Sequence, residues 1–143
     1  MVINFNPKYI PGDIVYNHKK EIIRITSSYL KGTKLFYYRD GDNGWIREDA
    51  IAPIPLTPEI LEKNGWVKEV MCRGIKNSHW VYTKPDIEEY GYFPIYIEKG
   101  IGDEFDVYPF TDNQVCTQIA YIKYVHQLQH LLFGLGLNSE MEL

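Results

Sequence analysis

The sequence predicts an α+β protein that is mostly antiparallel β, with a short helix in the middle and an amphipathic helix near the end. Runs rich in β-branched and aromatic residues recur between clusters of Gly, Pro, Asn and Asp, as in short strands joined by turns. Aromatic side chains make up 15% of the 143 residues, which suits half-buried strands. An apolar spacing of three and four residues near the end of the chain is typical of a helix.

The first module is predicted over residues 1–57, as four or five short strands with tight turns and one helical turn. The predicted strands are 13–17, 21–29, 34–39 and 45–47, with the turn at 49–51 and extended chain at 53–56. Such a run of short strands favours a small barrel. The Gly12-Asp13-Ile14-Val15 opening and the glycine-rich hairpin before Trp45 resemble SH3-like barrels.

The second module is predicted over residues 58–143 and begins with a helix. Thr57 is its N-cap, Pro58 occupies its first position, and Asn64-Gly65 ends it. An antiparallel meander follows, with strands at 66–72, 78–83, 93–98, 104–108 and 115–119. We expect the helix over 122–135 to close the open face of this sheet, residues 138–143 to fray, and both modules to pack as one unit.

Charge and cysteine content limit the function classes. The net charge is −4, but residues 1–57 carry eight basic and six acidic side chains, so the acidity lies in the second module. Cys72 and Cys116 make no disulfide framework or zinc spacing. The sequence shows neither a signal peptide nor an apolar run of membrane length. We therefore expect a cytoplasmic protein that does not enter a membrane.

Two segments together resemble a known group of proteins. One is Pro53-Ile-Pro-Leu-Thr-Pro-Glu-Ile-Leu61 with Asn64-Gly-Trp66, and the other is Ile122-Lys-Tyr-Val-His-Gln-Leu-Gln129. The chain resembles an uncharacterised family of small proteins from gut Bacteroides and their phages or other mobile elements. The resemblance implies a prophage or mobile-element context, and it implies no activity and no functional residue.

Aromatic and basic residues of the first module form one candidate binding site, for which we name Tyr37, Arg39, Trp45 and Arg47. Tyr16, Lys20, Arg24 and Tyr38 belong to the same set. Small barrels bind extended peptides on aromatic surfaces, or single-stranded nucleic acid by stacking bases inside a basic groove. Strand alternation sends about half of these side chains into the core.

The second candidate site lies in a polar stripe on the last helix, formed by His126, Gln127, Gln129 and His130, and from it we name His126, Gln129 and His130. The two histidines share a helix face and have a spacing that can hold zinc, but Gln127 stands where a zinc protease has its glutamate base. The stripe is better explained by hydrogen bonds to a sheet or a partner, because buried Gln and His need partners. We predict no metal and no cofactor.

Two further patterns are explained by structure alone. Cys72, Cys116 and His79 lie in strand-like runs without an activating neighbour, which indicates structural thiols and no catalytic residue. Asp40–Gly44 lacks the later glutamate of a calcium loop and is typical of a hairpin turn.

The sequence therefore predicts a non-enzymatic accessory or interaction protein of a phage or mobile element, which binds a protein or peptide partner. The alternative is a nucleic-acid-associated regulator that binds through Lys20, Arg24, Arg39 and Arg47 in the first module. A small metal-dependent hydrolase using His126 and His130 is the third hypothesis.

Overall fold

The computed structural model describes residues 8–41, 44–72, 78–85, 95–100, 102–109 and 120–143. These residues form ten strands, two α-helices and one 3₁₀ turn. The chain divides into a first unit, residues 1–54 and 124–140, and a second unit, residues 55–123 and 141–143. All described strand pairs are antiparallel, which confirms the mostly antiparallel β class.

The sheet of the first unit is a four-stranded meander to which a fifth strand returns, in the order β4-β3-β2-β1-β5. The strands are β1 (Ile14–Tyr16), β2 (Ile22–Lys31), β3 (Lys34–Arg39), β4 (Trp45–Arg47) and β5 (Ala52–Pro53), and a 3₁₀ turn (Glu48–Ala50) precedes β5. A register shift between Ile25 and Ser27 lets β2 pair with β1 through its first half and with β3 through its second. In the described residues β4 and β5 are the two edges, so the sheet is open.

Strand alternation places the core of the first unit on one face of this sheet. Val15, Ile25 and Tyr37 have no exposed surface, while their neighbours in sequence are more accessible. Ile23 of β2, Tyr9 from the preceding segment and Ile51 directly after the 3₁₀ turn complete the cluster. The period of two separates Tyr37, which lies in this core, from Phe36 and Tyr38, which are more accessible.

The predicted helix signature in the second unit is confirmed as α1 (Pro58–Lys63). The Thr57 hydroxyl accepts a hydrogen bond from the Ile60 N–H at 3.2 Å, and Pro58 needs no donor at the first turn. Gly65 follows the helix with φ +85°, a conformation that glycine adopts without strain. Trp66 is then buried at the start of the sheet.

The second sheet is a meander in the order β10-β9-β8-β7-β6. Its strands are β6 (Val67–Cys72), β7 (Ser78–Thr83), β8 (Ile95–Lys99), β9 (Phe105–Pro109) and β10 (Ala120–Ile122). The predicted strand over 115–119 lies outside the described residues. Leu61, Ile97, Phe105 and Val107 are fully buried in this unit.

The last helix, α2 (Val125–Gly134), belongs to the first unit, whereas the prediction placed it in the second module. It contacts β1, and the Val125 N–H donates to the Ile54 carbonyl at 2.9 Å. The Gln129 side chain bonds the backbone on both sides of Asp13. Apolar periodicity shows that a helix buries one face, but it does not show which sheet that face contacts.

The segment after α2 is also more ordered than predicted. In place of a frayed tail, Ser139 accepts a hydrogen bond through its carbonyl from Gln129. Met141 is only 6% exposed, and Glu142 is hydrogen-bonded to Asn64.

Candidate functional site

The outer face of β3 and β4 carries a row of aromatic side chains ending in an arginine. Tyr38 lies opposite Trp45, and Phe36 lies opposite Arg47. Tyr29 on β2 lies opposite Phe36. Because opposed residues of an antiparallel pair share a face, these five side chains project from one side of the sheet, and we call them the Trp45 surface.

The rings of the Trp45 surface contact one another and remain accessible. Trp45 is 40% exposed and Tyr29 is 48% exposed. Their ring centroids are 4.6 Å apart with the planes tilted by 36°, and Trp45 also contacts the ring of Tyr38. Neighbouring rings thus hold the indole in place while leaving part of it open to a ligand.

Two clefts meet at Trp45. The aromatic cleft, of about 430 Å³, is lined by Tyr29, Lys31, Phe36 and Trp45. The basic cleft, of about 450 Å³, is lined by Asn17, His18, Lys19, Glu21, Arg39, Trp45, Ile46, Arg47 and Ala50. Trp45 is therefore a wall shared by an apolar site and a charged site.

The lining of the two clefts is positive in a chain that is negative as a whole. Among the described residues that line them, Lys19, Lys31, Arg39 and Arg47 contribute cations and Glu21 contributes a carboxylate. Arg47 pairs with Asp49 at 2.8 Å, with both side chains more than half exposed. Exposed pairs of this kind contribute little stability, so a ligand carboxylate or phosphate can replace Asp49 at low cost.

Three of the four site residues predicted in the first module, Arg39, Trp45 and Arg47, come together at the basic cleft.

Tyr37, the fourth, is a core residue with no exposed surface. Its hydroxyl accepts from the Tyr9 N–H at 3.4 Å and donates to Glu48 at 2.7 Å. The pKa of Tyr37 is raised, mainly by burial of the side chain and secondly by this hydrogen bond to Glu48. Its assignment to a binding surface is wrong because Tyr38, the next residue, points outward in its place.

Lys20 and Arg24, the other basic residues predicted in the first module, do not line a cleft together with Arg39 and Arg47. Arg24 pairs with Glu140 and, at 3.6 Å, with Asp40. Lys20 is not among the residues that line either cleft. Lys19 and Lys31 take part instead, and sequence reasoning missed Lys31 because its cleft forms only when β2 and β4 flank β3.

The polar stripe of α2 is used to hold the helix against the start of β1. The Gln129 amide accepts from the Ile14 N–H at 3.0 Å and donates to the Gly12 carbonyl at 2.9 Å. His130 Nε2 donates to Asp13 Oδ2 over 2.7 Å. Asp13, which is 1% exposed, also accepts from the Ile10 N–H at 2.9 Å. The expected hydrogen bonds to a sheet are present, but they reach the first sheet.

Burial shifts the pKa values of two side chains in this region, Asp13 and His126. It raises the pKa of Asp13, against the lowering effect of the bonds from Ile10 and His130. His126 is 4% exposed, and burial, followed by the charges of His130 and Lys8, lowers its pKa to about 4. Its ring meets that of Tyr9 edge-on, with centroids 5.0 Å apart. His126 is thus a neutral core side chain at pH 7, and its Nδ1 has no hydrogen-bond partner within the described residues.

Other predicted chemistry falls partly outside the described residues. No three His, Cys, Asp or Glu side chains come together as a metal site in the described part of the chain. Cys116, and the side chains of Cys72 and His79, lie outside the description, as do the middle residues of the Asp40–Gly44 turn.

Comparisons with known proteins identify no relative of this chain. No protein-family model, no curated protein and no solved structure matches this chain. Across the described residues, no helix combines the length and apolar character needed to span a membrane.

Proposed function

We propose that the protein is a non-enzymatic accessory or interaction protein that binds an extended segment of a protein partner across the Trp45 surface. The observation that carries this proposal is that Trp45 lines both the aromatic cleft and the basic cleft. An extended chain that crosses an exposed indole can place side chains into pockets on both sides of it.

The chemistry of the two clefts indicates the composition of the bound segment. Tyr29, Phe36 and Trp45 favour a proline or another apolar side chain in the aromatic cleft. Arg39, Arg47 and Lys19 favour aspartate or glutamate in the basic cleft, because Arg binds carboxylates with two parallel hydrogen bonds. We therefore expect a segment that joins an apolar residue to an acidic one.

The strand order supports an SH3-like class for the first unit. Four strands form a meander, a 3₁₀ turn follows β4, and β5 returns to pair with β1. Domains of this class bind extended, proline-rich segments in aromatic-lined grooves. The mobile-element context implied by the family resemblance, and a reducing cytoplasm favoured by two cysteines without a disulfide spacing, complete the proposal.

A selection of short random peptides on the immobilised protein tests the function. We expect enrichment of peptides that combine proline or aromatic residues with Asp or Glu, and loss of their binding in Trp45→Ala. Trp80→Ala is the matched control, because Trp80 is an exposed tryptophan of the second sheet, at 56%. Equal loss in both variants, or no enrichment on the wild type, would contradict the proposal.

Single-stranded nucleic acid is the second candidate ligand, and the four cations beside stacked aromatic side chains favour it. Bases stack on such rings while basic groups follow the phosphates. If the site contacts four phosphates, the logarithm of the binding constant for oligothymidylate should fall linearly with the logarithm of the salt concentration. The expected slope is about −3. Arg47→Ala should reduce this slope by about one phosphate contact. Absence of binding at low salt would remove this candidate.

A further inference from the structure

Residues 141–143 group with the second unit, where they are hydrogen-bonded to the end of α1. Met141 is 6% exposed, although the side chains on either side of it, Glu140 and Glu142, are exposed. No helix or strand includes residues 138–143. The segment is therefore held by side-chain burial and by specific hydrogen bonds, as a bound peptide is.

The hydrogen bonds come from the end of α1 and are directed at the backbone of the segment. Asn64 Nδ2 donates to the Glu142 carbonyl at 2.7 Å, and Asn64 Oδ1 accepts from the Glu142 N–H at 2.7 Å. Lys63 Nζ donates to the Leu143 backbone oxygen at 2.7 Å. One carboxamide thus satisfies both backbone groups of one residue, as a neighbouring β-strand would.

Asn64 is also hydrogen-bonded within its own helix. It caps the C-terminal end of α1, and its Nδ2 also donates to the Ile60 carbonyl at 2.8 Å. Gly65, at φ +85°, turns the chain away directly after it. A side chain oriented by its own helix loses little conformational entropy on binding, which favours recognition of a peptide.

We propose that Lys63 and Asn64 form a second peptide-binding site, independent of the Trp45 surface, whose resident ligand is Met141–Leu143. The site accepts a partner segment of the same chemistry: an extended stretch with a Met-sized apolar side chain, followed by a residue with a free backbone N–H. The resident segment acts as an intramolecular competitor, because tethering gives it an effective concentration of about millimolar.

The test opens the site without altering it. Glu142→Pro in the full chain removes the N–H that Asn64 Oδ1 accepts, whereas Glu142→Ala keeps it. A fluorescent peptide with the sequence of Asn138–Leu143 is then titrated into each chain and followed by anisotropy. We expect Glu142→Pro to bind the peptide at least about ten-fold more tightly than the wild type. Glu142→Ala should bind it as the wild type does.

Two controls make the result specific. A peptide carrying proline at the position of Glu142 should not bind, and Asn64→Ala in the Glu142→Pro chain should abolish binding. If Glu142→Pro does not fold, as judged by circular dichroism, Met141→Asp is used in its place. A charged side chain is disfavoured at the buried position of Met141, so the segment should leave the site. Equal binding by the Pro and Ala variants, or equal binding of the two peptides, would overturn the proposal.

Discussion

The two helices of this protein are positioned in different ways. α1 is defined locally, by the Thr57 cap and by the Gly65 stop next to it in the chain. α2 is held by residues more than one hundred positions earlier, through the bonds of Gln129 and His130. The comparison shows that local signals are enough to place a helix in the sequence, whereas distant polar contacts select the surface on which it packs.

The largest expected effect tests the distant contacts of α2. Gln129→Leu leaves the buried Ile14 N–H and the partly buried Gly12 carbonyl without their partner, so the free energy of unfolding should fall by roughly 2–4 kcal/mol. Urea denaturation measures the loss. Phe133→Ala is the control, since Phe133 is 68% exposed on the same helix and its replacement should change stability by less than about 0.5 kcal/mol. Similar losses in both variants would show that the amide is not what holds α2.

The second effect is a pH dependence that originates in α2. His126 has a pKa of about 4 in the folded chain and about 6.5 when unfolded. Its contribution to stability is complete above pH 6.5 and is lost as the pH falls towards 4, up to about 3 kcal/mol. The raised pKa of Asp13 acts in the opposite direction, because the folded state then takes up that proton more readily.

His126→Phe isolates this contribution. The Phe ring can keep the edge-on contact with Tyr9, and no hydrogen bond to Nδ1 is lost within the described residues. Thermal melts between pH 7 and pH 4 should show a smaller decline in stability for the variant than for the wild type. Parallel declines would show that His126 is not the group that titrates.

The smallest effect tests the local signal of α1. Thr57→Ala removes the oxygen that accepts from the Ile60 N–H, which should cost about 1 kcal/mol of unfolding free energy. Thr57→Ser keeps an oxygen in the same position and should remain within about 0.5 kcal/mol of the wild type. If the serine variant lost as much as the alanine variant, packing of the threonine methyl group and not the cap would explain the effect.

The candidate binding site was partly predictable for the same reason. Trp45, Arg39 and Arg47 were identifiable as aromatic and basic residues of short strands, and they line one cleft. Tyr37 was misassigned because a period of two shows that Tyr37 and Tyr38 face opposite sides without showing which side is the core. The pairing of β3 with β2 and β4 decides this, and it also brings Lys31 into the aromatic cleft.

The sequence by itself determined the antiparallel β class, the strands before residue 110 to within a few residues, and both ends of α1. Each of these depends on interactions between residues close together in the chain, such as turns, caps and alternation. Only the tertiary structure decided that α2 belongs to the first unit, that Tyr37 is core, and that Met141–Leu143 is bound by Asn64. These outcomes depend on contacts between residues far apart in the chain, and sequence spacing does not reveal those pairings.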